Sequence, residues 1–321
     1  MDFRERFLVA CAALALMGAA PPQKYPTKAV RLIIAFTPGS ASDLVGRVVG
    51  EKLSQIWGQP VVAENRPGAG GSIASNVVVQ AEPDGYTLLV NSSAHVVNPA
   101  IYAKLPYDTL KDFTNVAPLA AQPNVLIVGV DSGWKTLQNF IAAAKSKPGQ
   151  LNFSSAGMGS ATHLNLEKLK LMAGIDVSHV PYKGSPEAIA DTMAGRVCCY
   201  FAPVSAAVPH VTSGKVVALG VSTKKRSPLL PDVPAIAEAG VPNFDYNLWV
   251  GLWGPRALPT PLVNKINKDV QQALASPDLK ERLAKLGAEP MMMSAAEFAQ
   301  YVKREIGESE KIVKAAGIPP Q

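Results

Sequence analysis

Two short stretches indicate how this chain folds: Phe36-Thr37-Pro38-Gly39-Ser40-Ala41-Ser42-Asp43 and Ser155-Ala156-Gly157-Met158-Gly159-Ser160. Each follows an apolar run typical of a strand and precedes a run whose apolar residues have helical spacing. Such a turn directs backbone N–H groups and hydroxyls toward whatever lies above it, and the helix N-terminus favours negative charge there. Because the turns are more than a hundred residues apart, we expect two lobes that hold one anion between them.

The segments around the first turn alternate between strand and helix. Residues 30–36 are β-branched and apolar, and a helical pattern from Leu44 to Trp57 follows, ended by Gly58. We predict further strands at residues 61–63 and 86–90, with a helix at residues 72–81 between them. This alternation indicates a parallel sheet with helices on its faces.

A second series of the same kind begins near Leu151. We predict strands at residues 152–154, 177–180, 197–201 and 216–221, with helices at residues 161–173, 185–194 and 205–213 between them. Two series of similar size imply two lobes. The long apolar segments at residues 116–130 and 247–255 are interpreted as the strands that cross between the lobes. The last part of the chain is helical, at residues 262–275, 278–286 and 295–315.

These segments divide the chain. We assign residues 23–123 and 251–321 to lobe 1 and residues 124–250 to lobe 2. Residues 1–22 are expected to be a signal peptide, because Arg4 and Arg6 precede an apolar run at residues 7–20 that is too short to span a bilayer. We therefore expect export to a periplasm. No lipid anchor is expected at Cys11, which comes too early for a full apolar region before it.

The composition limits the classes of function. The chain has 321 residues, 48% hydrophobic and 17% charged, which suits one or two globular α/β domains. The net charge of +6 is spread along the chain without a basic run that interleaves aromatics. Nucleic acid is therefore not an expected partner, whereas acidic small ligands are mildly favoured. Cys198 and Cys199 are expected to be core residues, because adjacent cysteines fit disulfide geometry badly.

Sequence signatures of enzymes, metal sites and nucleotide sites are absent. The histidines are scattered, with no His-Glu-x-x-His helix and no Cys/His pair at zinc spacing. The glycine-rich segment at residues 64–71 lacks the Gly-Lys-Ser/Thr ending of a P-loop, so we expect a structural loop. We predict no metal, no cofactor and no enzymatic activity. The open rival is a hydrolase or transferase that uses Ser160 with His163.

The candidate ligand-binding residues follow strands, at the sheet edge where open parallel sheets bind ligands. They are Phe36, Thr37, Gly39, Ser40, Ser42, Asp43, Ser92, Ser93, Ser155, Ala156, Gly157, Gly159, Ser160, His163, Pro203 and Ser205. The last two would close the floor of the cleft. Asp43 would either orient a bound water or only cap the following helix, and we favour the cap. The cap of that helix is predicted at Ser42 or Asp43. For Ser92 and Ser93, contact with the ligand and a role in holding their loop are equally expected. For His163, we favour a structural role.

The order of motifs resembles that of the tripartite tricarboxylate transporter receptors, the Bug family of extracytoplasmic solute-binding proteins. The resemblance runs from Tyr25-Pro26 to Gly317-Ile318. It is carried by Pro38-Gly39 with Asp43, Glu64-Asn65-Arg66-Pro67-Gly68-Ala69-Gly70-Gly71, Pro83-Asp84-Gly85-Tyr86-Thr87-Leu88-Leu89, Leu105-Pro106-Tyr107-Asp108, Ser155 through His163, His179-Val180-Pro181-Tyr182-Lys183-Gly184, Ala237-Glu238-Ala239-Gly240 and Trp249-Val250-Gly251-Leu252. It implies a two-lobed α/β periplasmic binding protein of the type 2, Venus-flytrap class. Each lobe would be a mainly parallel sheet flanked by helices, without catalytic activity.

The resemblance also implies the kind of ligand. Members of the family bind small carboxylates through N–H groups, hydroxyls and ordered waters of the two turns. Those positions correspond here to Thr37, Gly39, Ser40, Ser42, Ser155, Gly157, Gly159 and Ser160. Two residues depart from the family pattern: Ser40 stands where a second glycine is common, and Arg256 where small residues are usual. Because of these two departures, we do not assign the ligand of any particular family member to this chain.

The sequence thus predicts a monomeric periplasmic receptor. It would capture a small carboxylate between its lobes and deliver it to the membrane subunits of a tripartite transporter. The alternative of the same class is a signalling receptor that presents its ligand to a membrane sensor.

Overall fold

The computed structural model describes residues 25–321. The predicted signal peptide and Cys11 lie outside the described residues. The strands are β1 Val30–Ile34, β2 Val61–Asn65, β3 Thr87–Ser92, β4 Phe113–Gly129, β5 Asn152–Ser155, β6 Ser178–Pro181, β7 Cys199–Pro203, β8 Val216–Val221, β9 Asn247–Pro255 and β10 Glu289–Pro290. The α-helices are α1 Ala41–Trp57, α2 Ser72–Val79, α3 Ala94–Ile101, α4 Leu137–Ser146, α5 Ala161–Ala173, α6 Ser185–Met193, α7 Val204–Thr212, α8 Thr260–Ala275, α9 Pro277–Lys285 and α10 Ala295–Ala315. From residue 25 onward, none of them combines the length and apolarity that a bilayer crossing requires.

The strands form one hydrogen-bonded path in the order β2-β1-β3-β9-β4-β7-β5-β6. β1 pairs in parallel with β2 and β3, and β5 pairs in parallel with β6 and β7, as expected for two βα series. β4 belongs to both groups, because it pairs antiparallel with β9 up to Pro123 and with β7 from Asn124 onward. This change of partner supports our proposed boundary between lobe 1 (residues 23–123 and 251–321) and lobe 2 (residues 124–250).

The ends of several elements differ from the predicted ones. β1 stops two residues early, because the chain turns at Thr37, whose carbonyl accepts the Ser40 N–H at 3.1 Å. The helix cap predicted at Ser42 or Asp43 lies instead at Ser40. β7 is shifted two residues later than predicted, since Cys199 is the first residue of that strand to pair with its neighbours.

Two helices were not predicted. α3 occupies the segment after Ser92 and Ser93 that was expected to be a loop, and it has a proline, Pro99, in its interior. α4 follows Thr136, whose hydroxyl caps it by accepting the Asn139 N–H at 3.2 Å. The helices predicted at residues 161–173 and 295–315 have the predicted bounds.

Each lobe packs apolar side chains on both faces of its sheet. In β1, Leu32 and Ile34 belong to one core cluster and Ile33 to another, as the alternation of a strand requires. In β4, Leu126 and Ile127 are divided between two clusters in the same way. Helices therefore cover both faces, and the carboxyl ends of the parallel strands are left to form the cleft.

His95 lies in the core of lobe 1 and packs α3 against the sheet. Its ring centroid is 4.6 Å from those of both Phe113 and Trp253. Its Nδ1 is 3.4 Å from the hydroxyl of Ser75. Burial lowers the pKa of the imidazole to about 3, so the ring is neutral in the folded protein at physiological pH.

We expect His95 to make folding acid-sensitive. In the unfolded chain the His95 imidazole has a pKa near 6.5, so it binds a proton as the pH falls below that value. In the folded protein the same imidazole stays neutral down to about pH 3, so lowering the pH favours the unfolded chain. Replacing His95 with Phe keeps the ring packing and should reduce proton uptake on unfolding by about one proton between pH 6 and 4. The check is the slope of the unfolding free energy against pH. A slope equal to that of the unmodified chain would contradict a buried, neutral His95.

Candidate functional site

A cavity lies where the two predicted turns meet. Its twelve lining residues come from both lobes: Phe36, Ser40, Ala41, Ser42, Ser92, Ala156, Ser160, Ala161, Thr162, Ser185, Pro203 and Leu248. Its free volume is about 20 Å³, close to the space that one ordered water needs. Within residues 25–321, no charged side chain lines it. The wall therefore consists of backbone, hydroxyl and apolar groups.

The structure divides the predicted site residues into two sets. Seven line the cavity: Phe36, Ser40, Ser42, Ser92, Ala156, Ser160 and Pro203. The others lie behind or beside this wall: Thr37, Gly39, Asp43, Ser93, Ser155, Gly157, Gly159, His163 and Ser205. Five lining residues were missed by the sequence analysis: Ala41, Ala161, Thr162, Ser185 and Leu248. Four of the missed residues are the first or second residue of a helix, which is a signal that the sequence does contain: Ala41, Ala161, Thr162 and Ser185.

Asp43 shapes the first turn. Its buried carboxylate accepts the N–H of Gly39 at 2.9 Å. It also accepts from Arg47 Nε at 2.8 Å and from Asn65 Nδ2 at 2.9 Å. The charge of Asp43 is thus fully engaged in tying the turn to α1 and β2. Asp43 is the third residue of α1, and its bonds hold the turn in place of the cap that the sequence suggested.

The turns use their own N–H groups internally. The bonds are Gly39 N–H to Asp43, Ser40 N–H to Thr37, Gly157 N–H to Ser155, Gly159 N–H to His163 and Ser160 N–H to Gly157. These N–H groups were the expected ligand donors. Their internal partners mean that the turns act as rigid supports.

The free donors belong to the helices that follow. The first N–H groups of a helix have no partner inside it. In the described chain, the N–H groups of Ala41 and Ser42 in α1 and of Ala161 and Thr162 in α5 make no hydrogen bond to protein. All four residues line the cavity, two from each lobe.

Two further helices begin at the same place. Ser185 is the first residue of α6, and Pro203 is the N-cap of α7. Both line the cavity. Each helix N-terminus carries a partial positive charge equivalent to roughly half an elementary charge. The cavity is therefore electropositive although its wall carries no lysine or arginine.

The lobes touch each other beside the cavity. The Ser40 hydroxyl accepts the N–H of Ser185 at 3.0 Å, and the Thr37 hydroxyl donates to Glu187 Oε2 at 3.2 Å. Gly184 lies directly under this contact: a Cβ there would overlap Thr37 Oγ1 and come within 2.7 Å of Ser40 Oγ. The chain is thus in a closed arrangement, and Ser40 is one of the residues that join the lobes.

A second contact between the lobes involves the glycine-rich loop. Gly70, in the left-handed region with φ 58°, approaches Met158 so closely that a Cβ would overlap its carbonyl oxygen. Tyr102 donates its hydroxyl proton to the same carbonyl at 3.3 Å, and Asn98 Nδ2 donates to Gly70 O at 3.2 Å. The loop at residues 64–71 therefore supports the second turn. Arg256 is exposed after β9 and does not line the cavity.

His163 lies behind the wall. Its Nδ1 accepts the Gly159 N–H at 3.2 Å, and its ring stacks on His179 with centroids 4.0 Å apart. Burial and the neighbouring His179 hold the pKa of His163 well below its ordinary value, and burial lowers that of His179 to about 4. Ser160 Oγ accepts the backbone N–H of His163, so the imidazole is not placed as its base. Among the described residues, Ser160 and His163 therefore form no nucleophile–base pair; the hydroxyl beside His179 Nε2, at 2.6 Å, is that of Ser155.

A metal site finds no support in the described part of the chain. Across residues 25–321, no three His, Cys, Asp or Glu side chains are grouped so that they could hold a metal ion.

Comparison with known sequences identifies a family. The sequence model of the family described as "Tripartite tricarboxylate transporter family receptor" matches residues 45–318. A Pseudomonas protein from the tcbD-tcbE intergenic region is 37% identical over 290 residues, covering 90% of this chain and 86% of the relative. Protein BugT of Bordetella pertussis is 31% identical over 309 residues, covering 95% of each chain.

Solved structures agree with the sequence matches. A protein of R. palustris solved with adipate superposes with a TM-score of 0.89 at 34% identity, over 92% of this chain and all of that one. MatC from Rhodopseudomonas palustris with bound malate gives 0.85 at 35% identity, over 90% and 100%. The periplasmic binding protein BugD gives 0.88 at 31% identity, over 92% and 100%.

These likenesses settle the fold and the class of protein. The chain has the two-lobed α/β fold of periplasmic binding proteins, as the sequence predicted. It is a solute-binding receptor and not an enzyme, so the hydrolase alternative is excluded. The chain belongs to the tripartite tricarboxylate transporter receptor family, which includes the Bug proteins.

Proposed function

We propose that this receptor binds a small carboxylate in the cavity between its lobes and delivers it to the membrane subunits of a tripartite transporter. One observation carries the ligand class. Four free N–H groups, of Ala41, Ser42, Ala161 and Thr162, come from two facing helix N-termini in a cavity without charged side chains. Anions are the ligands that such an arrangement favours.

The partial charge and the hydrogen bonds that the helix N-termini offer suit one carboxylate. Two helix N-termini supply a partial charge equivalent to about one elementary charge. A hydrogen bond from an N–H group to an ionised oxygen contributes about 1.5–3 kcal/mol. The four oxygen lone-pair sites of a carboxylate match the four free donors in number. A lysine or arginine is therefore not needed to offset the desolvation of the anion.

The ligands of two relatives support the same class. The R. palustris protein was solved with adipate and MatC with malate, and both compounds are small carboxylates. Neither compound is proposed as the ligand of this chain, because Ser40 stands where a second glycine is common in the family.

The roles of the predicted residues follow. We propose that Phe36, Ser40, Ser42, Ser92, Ala156, Ser160 and Pro203 contact the ligand together with the four free donors. Thr37, Gly39, Asp43, Ser155, Gly157, Gly159 and His163 would shape the two turns. Ser93 and Ser205 would fix the starts of α3 and α7, since their N–H groups bond to Trp249 O at 2.8 Å and to Gln122 Oε1 at 3.2 Å.

Export and the partner are parts of the proposal. The family consists of periplasmic binding proteins, and the apolar run at residues 7–20 supports a signal peptide. The transporter is favoured over a sensor as the partner, because the matching family is defined by its transporter. We further propose that the receptor acts as a monomer.

The helix donors can be removed one at a time. Proline is tolerated at the first position of a helix and lacks an N–H. Ala41 and Ala161 hold that position, and the extended backbone of Ser40 and Ser160 suits a residue before proline. Ala41→Pro and Ala161→Pro should leave the melting temperature nearly unchanged and weaken carboxylate binding about 10- to 100-fold, as one lost charge-assisted bond requires.

Calorimetric titration with adipate, malate and citrate measures this effect. Ala295→Pro is the matched control, because Ala295 is the first residue of α10 after the cap Ser294 and is not part of the cavity wall. It should bind like the unmodified chain. Unchanged affinity in Ala41→Pro and Ala161→Pro would remove the helix N-termini from the site, and failure to bind any carboxylate would refute the ligand class.

Closure depends on the glycine at position 184. Gly184→Ala places a methyl group against Thr37 and Ser40 only when the lobes meet, so the free protein should fold and melt normally. Ligand-induced compaction, measured by small-angle X-ray scattering, should be lost and the Kd should rise at least about tenfold. Gly307→Ala, on open surface in α10, is the control. Normal compaction of the Gly184 variant would show that this contact is not part of the liganded state.

A further inference from the structure

Three buried carboxamides lie beside the cavity, and we name Gln122, Asn124 and Asn165 the amide floor. Their exposed fractions are 1%, 0% and 0%. In the described part of the chain, Nε2 of Gln122 and both polar side-chain atoms of Asn124 and Asn165 have no hydrogen-bond partner. Buried polar groups in proteins are paired with few exceptions. Five unpaired atoms in one region therefore require an explanation.

Strand register places two of the amides on the cavity side. Gln122 in β4 is directly opposite Leu248 in β9, and Asn124 is directly opposite Pro203 in β7. Residues directly opposite each other in paired strands present their side chains on the same face. Leu248 and Pro203 line the cavity, so Gln122 and Asn124 face the same side of the sheet as the cavity wall.

Asn165 belongs to the helix that covers this face. It follows Ala161 by four residues in α5, and residues at that spacing share one side of a helix. Ala161 lines the cavity. Leu126, two residues after Asn124 and on its face, packs in one cluster with Leu169 of α5. The amide floor thus lies on the cavity side of β4 and α5, behind the residues that line the cavity, with Asn165 one helical turn after Ala161.

The orientation of Gln122 is fixed by α7. Its Oε1 accepts the N–H of Ser205, in the first turn of that helix, at 3.2 Å. Its Nε2 is therefore a donor that points away from Ser205. Asn124 and Asn165 each add one donor group and one acceptor. The floor offers donors and acceptors together and carries no charge.

We propose that the amide floor binds the end of the ligand remote from its carboxylate, and that this end is an uncharged group that both donates and accepts hydrogen bonds, such as a carboxamide or hydroxyl. This rests on the proposed function, in which the helix N-termini hold the carboxylate. A second carboxylate only accepts, so it would face the oxygens of Asn124 and Asn165 without a cation nearby. A methyl ketone accepts through its carbonyl oxygen but donates nothing, so the oxygens of Asn124 and Asn165 would stay unpaired.

Matched ligands test the preference. Succinate, succinamate and 4-oxopentanoate carry O⁻, NH₂ or CH₃ at one position of the same skeleton, and adipate, adipamate and 6-oxoheptanoate repeat the series at greater length. By calorimetry, the monoamide should bind at least about tenfold more tightly than both partners at one of the two lengths. A dicarboxylate or methyl ketone that binds as tightly as its monoamide at both lengths overturns the inference.

The two proposals fail separately. If these acids bind and Ala161→Pro weakens them, but the monoamide has no advantage, only the amide floor is wrong. If none of the six acids binds, the inference is overturned, and the carboxylate site fails with it only when malate and citrate do not bind either.

A variant of the floor gives a readout beyond affinity. Asn165→Leu has a similar shape and removes two unpaired atoms, so the ligand-free protein should melt at the same or a higher temperature while succinamate or adipamate binding falls at least about tenfold. Asn267→Leu is the control: Asn267 is buried but donates to Val116 O at 2.8 Å, so its loss should lower the melting temperature and spare binding. A lowered melting temperature or unchanged binding in Asn165→Leu overturns the inference.

Discussion

The structure depends on the requirement that the first N–H groups of a helix find partners outside it. At the cleft, only some of these N–H groups have such a partner. The Ser160 hydroxyl caps α5 through the His163 N–H, whereas the Ser40 hydroxyl reaches across to Ser185 and leaves its own helix uncapped. What remains free are the first N–H groups of α1 and α5, which face each other from two lobes. The proposal of an anionic ligand rests on these groups.

The turns contribute rigidity. Asp43 holds Gly39, and His163 holds Gly159, so each turn is closed by a side chain from the helix that it begins. We propose that motion between the lobes takes place at β4, which pairs with β9 before Asn124 and with β7 and β8 from there onward. Gly184 and Gly70 then permit the backbones of the two lobes to meet.

Much of the fold could be predicted from the sequence. Alternating strand and helix patterns predicted both βα series, and the helix at residues 161–173 was recovered because its cap, apolar spacing and terminal Gly174 agree. α3 was missed, because the segment after Ser92 and Ser93 was expected to be a loop; the helix has a proline, Pro99, in its interior. The site was only half predictable. The turns pointed to the cavity, but which N–H groups remain free depends on side-chain bonds within each turn, and the Ser40–Ser185 contact joins residues 145 positions apart. No local pattern carries that information.

The central claim is that backbone N–H groups of α1 and α5 hold the ligand anion without a charged side chain. The most direct test is a crystal structure of the protein with a bound carboxylate, chosen as the tightest binder by titration. The account predicts carboxylate oxygens within about 3.2 Å of N–H groups among Ala41, Ser42, Ala161 and Thr162. A carboxylate paired with a lysine or arginine, or bound outside the cleft, would contradict it.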